Sequence, residues 1–239
     1  MKILDVSTVF GFYPYRKLDA SLETLREIIG NYNARALALS LKGVFYDAGE
    51  GNEETLNLLR TDKNIYPMAT YDPRAYPRNI RLIKELDSKV FLAVAFFPHV
   101  QGWVVDFAPF RLALEVVGDD LPVIVHAGGY GEITKVARLG AEIENPIIIS
   151  GIGYSNMSEA IAVVQKTENI YIETHLLNSP DALEFLKKYI GTDRIIFGSG
   201  TPLLSFETAY QVVAKSSLSD NDKEKIFYKN WEELKGVRV

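Results

Sequence analysis

The sequence predicts an α/β fold, a closed (β/α)8 TIM barrel, and three observations carry that reading. Short apolar, β-branched runs alternate with amphipathic segments eight times, at the roughly 25 to 35 residues that parallel crossover units require. Several runs, among them VFLAVAFF (90–97) and PIIIS (146–150), are apolar at consecutive positions, which means burial on both faces of a sheet. Eight units in 239 residues exceed the about five to seven strands usual in open doubly wound sheets and suit a barrel of roughly 250 residues.

In chain order, the strands are expected at Lys2–Val6, Ala36–Leu39, Ile65–Thr70, Val90–Ala95, Pro122–His126, Ile147–Ser150, Ile170–Glu173 and Arg194–Phe197. The helical segments between them are Ser21–Ile29, Asn52–Arg60, Pro77–Leu86, Pro109–Val116, Gly131–Leu139, Asn156–Lys166, Pro180–Tyr189 and Phe206–Ser216. Two helix entries are marked by Ser158-Glu159 and by Ser179-Pro180-Asp181, where Pro suits a first turn. The tail Ser219–Leu234 is expected to add a pair of short helices. No repeat, low-complexity stretch or linker interrupts the pattern, so residues 1–239 are read as one domain.

Composition narrows the function. At 47% hydrophobic and 24% charged residues the chain is neither disordered nor collagen-like. A net charge of −5 without a basic stripe argues against nucleic acid as a partner. No apolar run approaches a membrane span and the start MKILDVS lacks a signal-peptide core, which makes the cytoplasm the expected location. Zero cysteines remove disulfides, thiolate nucleophiles and Cys-zinc sites. Three histidines leave imidazole chemistry only three places. All fall at or just past predicted strand ends, where barrel sites form: His99 in FFPHVQGW, His126 in PVIVHAGG and His175 in YIETHLL.

The succession of Ile3-Leu4-Asp5-Val6-Ser7, PVIVHAG, PIIISGIG, NIYIET and RIIFGSGTP, closed by Asn230, resembles the amidohydrolase superfamily along essentially the whole chain. The nearest branch is the amidohydrolase-related one that includes aminocarboxymuconate semialdehyde decarboxylase. The resemblance implies a barrel of the metal-dependent hydrolase type, with ligands at matching positions. His126 matches a metal ligand, but Ser7 and Val9 stand where the first strand carries D-x-H-x-H, Gly151 stands for the strand-six histidine, and Gly200 for the aspartate of F-G-S-D-x-P. Catalytic zinc normally takes three protein ligands and a water. One imidazole does not hold a divalent ion, and without it no hydroxide nucleophile forms at neutral pH. No cofactor is therefore expected, with zinc or another divalent metal confined to a rebuilt site.

Such a site is available on paper. Glu173 and His175 lie two residues apart and point the same way; with His126, and with Asp5 or His99, they could bind a relocated ion or act as acid and base without one. A structural role for Glu173, as a buried partner of a basic residue, is the competing reading. The glycine-rich loops around Gly128, Gly151 and Ser199-Gly200, with Ser7 and with Arg16, Arg74 and Arg78, could hold a small anion. Tyr13, Tyr15, Tyr71, Tyr76 and Trp103 either cover the mouth or pack the loops. The expected partner is a small molecule, with a homo-oligomer as a further expectation. Two functions stay open: a hydrolase- or decarboxylase-like enzyme on a small carboxylated substrate, through a rebuilt site in place of a degenerate metal centre; or a silent anion-binding or scaffold protein.

Overall fold

The computed structural model describes residues 1–236. Its strands are β1 (Leu4–Phe10), β2 (Arg35–Ser40), β3 (Ile65–Pro67), β4 (Ala69–Thr70), β5 (Val94–Phe96), β6 (Val123–His126), β7 (Ile147–Ser150), β8 (Ile170–Glu173) and β9 (Ile195–Ile196). They pair in parallel as β1-β2-β3 and as β4 through β9. Only Met68 separates β3 from β4, and its N–H donates to Ala38 O at 2.9 Å, so the two share one stave. The ring closes where Val6 N–H donates to Phe197 O at 3.0 Å and Gly200 N–H to Ser7 O at 2.9 Å. The (β/α)8 barrel expected from the sequence is formed.

Around it lie α1 (Leu22–Asn31), α2 (Leu41–Phe45), α3 (Ala48–Leu59), α4 (Ile80–Lys84), α5 (Pro98–Gln101), α6 (Ala108–Val116), α7 (Glu132–Gly140), α8 (Met157–Val164), α9 (Ala182–Ile190), α10 (Phe206–Ala214), α11 (Asp220–Glu224) and α12 (Asn230–Lys235). Helices of about ten residues are marginal alone, and each long one here buries an apolar stripe, such as Leu22, Leu25 and Ile29 of α1. The consecutive apolar runs have two destinations. Val123, Val125, Ile147 and Ile149 pack outward against the helices. Ile124, Ile148 and Ile196 fill the barrel interior with Leu37, Leu39 and Met68, above Trp231.

Several boundaries differ from the sequence expectation for identifiable reasons. β1 runs on to Phe10 across a register irregularity between Asp5 and Thr8, with the Thr8 hydroxyl paired to Leu37 O at 2.7 Å. The fifth strand starts at Val94, because Val90 and Phe91 turn back to donate to Asp87 O. Pro180 stays outside α9, which begins after Asp181 in a left-handed conformation, φ 55°. α2, unforeseen in the sequence, is capped by Ser40 Oγ accepting from Lys42 N–H at 3.1 Å. The tail is helical, but α11 and α12 are joined without a break by a π-helical turn, Lys225–Lys229, rather than forming a separate pair, and the Asn230 amide donates to Thr192 O and Ile195 O, tying the last helix to β9. Among the described residues no helix is long and apolar enough to cross a membrane.

Candidate functional site

Alternation along the strands sets the site. Ile124 and Ile148 face the interior, so His126 and Ser150, two residues on and directly paired across β6 and β7, share that face at the C-terminal ends of their strands. Glu173 ends β8, and His175 follows it. Above them lies a cavity of about 470 Å³. Its polar lining is Ser7, Thr8, Tyr13, Tyr15, Arg16, His126 and His175; the rest is mostly apolar, including Val6, Val9, Phe45, Met68, Phe97 and Ile124.

The titratable groups form one network. His175 Nδ1 donates to Glu173 Oε1 in a short contact, and the His175 backbone N–H donates to Glu173 Oε2 at 2.9 Å. Ser150 Oγ lies 3.1 Å from His126 Nδ1 and 3.4 Å from His175 Nδ1. The Ser150 hydroxyl has two acceptors within reach, His126 Nδ1 and the Glu173 carboxylate, whose charged form it helps to stabilise. Phe97 stacks on the His126 ring at 4.3 Å between centroids. Burial, then repulsion from His175, pushes the His126 imidazole down to about 3, so it is neutral. Burial opposes charge on His175 and Glu173 too, but their mutual attraction prevails, raising His175 and lowering Glu173. The two shifts favour the charged carboxylate–imidazolium form of this buried pair, beside a neutral imidazole.

Asp5 lies behind the cavity wall. Its carboxylate accepts from Ser7 N–H and Ser199 N–H, each at 3.0 Å, and from the Ser199 hydroxyl in a short contact. Burial pushes its carboxyl up to about 6 against those bonds.

The structure brings together only some of the residues singled out in the sequence. His126, His175, Ser7 and Gly200 line the cavity; Glu173 supports His175 from below, paired with a histidine rather than with arginine or lysine. Asp5 and Ser199 bind each other across the barrel seam. His99 stands outside, paired with Glu132 at 2.8 Å, and Arg74 is held by Asp72. Gly128 and Gly151 pack against each other, where a Cβ at Gly128 would sit 2.8 Å from Gly151 O. Four backbone donors of the glycine loops are committed within the protein. Gly129 N–H goes to Glu132, Gly131 N–H to Glu159, Gly153 N–H to Asn156 and Gly200 N–H to Ser7 O. Of the loop aromatics, Tyr13 and Tyr15 reach the cavity, whereas Tyr71 and Trp103 are core. Ser150 and Phe97 were not singled out; the pairing of His126 with Ser150 at the ends of adjacent strands was the available signal for the first.

A divalent ion at the position implied by the resemblance finds poor donors. Ser7, Val9 and Gly200 line the cavity without a carboxylate or imidazole, and both Asp5 oxygens are engaged. A rebuilt site fares no better, since both Glu173 oxygens face His175. Among the described residues no group of three or more His, Cys, Asp or Glu side chains is placed to hold a metal. The residues present do not fit the ion.

A closed parallel barrel with helices outside and its pocket at the C-terminal strand ends is the (β/α)8 architecture. Within that class, a family model described as amidohydrolase matches residues 61–234, more than half of the chain, which therefore belongs to the amidohydrolase family. No curated protein matches it. Among solved structures, it is similar to 5-carboxyvanillate decarboxylase from Sphingomonas paucimobilis (12% identity, 99% of each chain covered, TM-score 0.77). It is similar too to a TIM-barrel protein from Bordetella bronchiseptica (16% identity, 98% of each chain, TM-score 0.74). A third is a dihydroxybenzoic acid decarboxylase from Polaromonas with bound manganese and the inhibitor 2-nitroresorcinol (17% identity, 99% of this chain and 98% of that one, TM-score 0.69). Identities this low carry the fold alone.

Proposed function

We propose that the chain is a decarboxylase-like enzyme for a small carboxylated molecule with an apolar, planar body, working by proton transfer without a metal. One observation carries the reading: the His175–Glu173 pair faces a cavity whose lining is mostly apolar. A carboxylate placed there loses hydration that it no longer needs once its charge disperses toward carbon dioxide. The C–C bond to the carboxylate breaks with its electron pair left on carbon, that carbon takes the proton from His175 Nε2, and water returns a proton to the imidazole. Glu173 holds the ring and stabilises its charged form. His126 and Ser7 orient the substrate. The names of two of the similar structures, decarboxylases of carboxylated aromatics, agree with this substrate class.

The loss of donors at Ser7, Val9, Gly151 and Gly200 favours a second reading, a binding protein without turnover. Protein dialysed against chelator and offered a panel of hydroxybenzoates separates the two by carbon dioxide release. The expected result is turnover that falls by roughly 10²- to 10⁴-fold in His175→Gln. Binding without release leaves the second reading, and neither binding nor release refutes both.

A further inference from the structure

The Glu173 carboxylate lies in space that a side chain at Gly198, on the last stave, would fill. A Cβ at Gly198 would fall well inside contact distance of Glu173 Oε2 and 2.9 Å from Ser7 Cβ. A Cβ at Gly200 would lie 3.4 Å from the His175 ring and 3.0 Å from Leu204, on a backbone with φ +73° that side chains rarely adopt. Gly200 is also where the resemblance puts the family's metal-binding aspartate. There a Cβ meets the His175 ring only at ordinary contact distance, so what opposes an aspartate is the positive φ and the tighter Leu204 contact.

Resting on the functional reading above, we infer that Gly198 is a positioning residue that leaves room for the His175–Glu173 pair, and that Gly200 keeps a competing carboxylate away from it, so that the imidazolium is the positive charge meeting the substrate's carboxylate. Three features agree. Glu173 is fully buried, so it reaches substrate only through His175. His175 lines the cavity, its Nδ1 is taken, and its Nε2 has no hydrogen-bond partner among the described residues. Of the two side chains in the lining that can carry positive charge, Arg16 commits its guanidinium to Leu203 O, whereas the His175 Nε2 is uncommitted among the described residues.

Benzoate and its neutral analogue benzamide test the charge, and zinc alone tests the ion, all on the full chain. Metal-free wild type is expected to bind benzoate with an affinity that added zinc or chelator leaves unchanged. Gly198→Ala and Gly200→Asp are expected to weaken benzoate about tenfold or more while benzamide stays within twofold, and to take up no zinc. His175→Gln, which adds no clash, gives the same split should either glycine variant fail to fold. If wild type binds benzoate and all folded variants bind it equally well, or if Gly200→Asp gains one zinc with benzoate affinity intact, the inference falls and the functional reading survives. If metal-free wild type neither binds nor turns over any carboxylate, both fall.

Discussion

Asp5 and His126 titrate against each other. Asp5, raised from 3.8 to about 6, makes the folded chain hold an extra proton in that interval, so stability falls as pH rises through it. His126, lowered from 6.5 to about 3, does the reverse: the unfolded chain holds the extra proton and stability rises with pH. Each slope is about 1.4 kcal/mol per pH unit, and they cancel where they overlap. The Glu173–His175 pair adds no slope there. Glu173, lowered, loses its contribution as pH falls below 4.5, and His175, raised, loses its own as pH climbs above 6.5. Urea unfolding between pH 4.5 and 6 is therefore expected to be flat for wild type, to gain about 2 kcal/mol with pH in Asp5→Asn, and to lose about as much in His126→Gln. Three parallel curves would show that the burial of these two groups is misassigned. The sequence marked both residues by their place near strand ends, but not the opposition between them. That depends on burial of both groups by the closed barrel and, for His126, on the approach of His175 from another strand end.

At the scale of elements, what was legible followed from periodicity, and what was not followed from contacts between elements. β7 and β8 match their expected spans, because Ile147–Ser150 and Ile170–Glu173 are apolar, β-branched and bounded by loops. α2 was invisible: five residues give no amphipathic period, and its place depends on close approach to α3. There Gly51 lies so near Gly43 that a Cβ on Gly51 would collide with the Gly43 backbone. That crossing also sets Asn52, whose side chain pairs with both backbone groups of Thr70 (Nδ2 to O at 3.0 Å, N–H to Oδ1 at 2.9 Å) and so extends β4. Gly51→Ala is expected to destabilise by about 1–3 kcal/mol through overpacking, whereas Gly30→Ala in α1, where a Cβ meets nothing within 4 Å, is expected to be neutral or slightly stabilising. Thermal unfolding of the two variants side by side checks the contrast, and equal effects would mean that the α2–α3 contact is not tight.

For the whole molecule, closure has a consequence for cooperativity. β1, the first strand, completes the ring by bonding to the last stave at Phe197 and Thr201, so no cut through the chain yields two parts that each keep a closed sheet. The two tryptophans sample different layers. Trp231 lies at the floor of the barrel interior with Leu4 and Ile196, while Trp103 packs in the outer layer beside Phe110, 5.0 Å between ring centroids. Single-tryptophan proteins, Trp103→Phe and Trp231→Phe, therefore report the outer layer and the interior separately. Trp231→Phe also removes a buried indole N–H that has no partner among the described residues, which offsets part of the packing lost. If the chain unfolds as one domain, the remaining tryptophan in each variant is expected to change fluorescence at the midpoint that circular dichroism gives for that same variant. A gap between the two midpoints in either variant would show that interior and shell come apart in steps, and the single-domain reading of residues 1–239 would have to be given up.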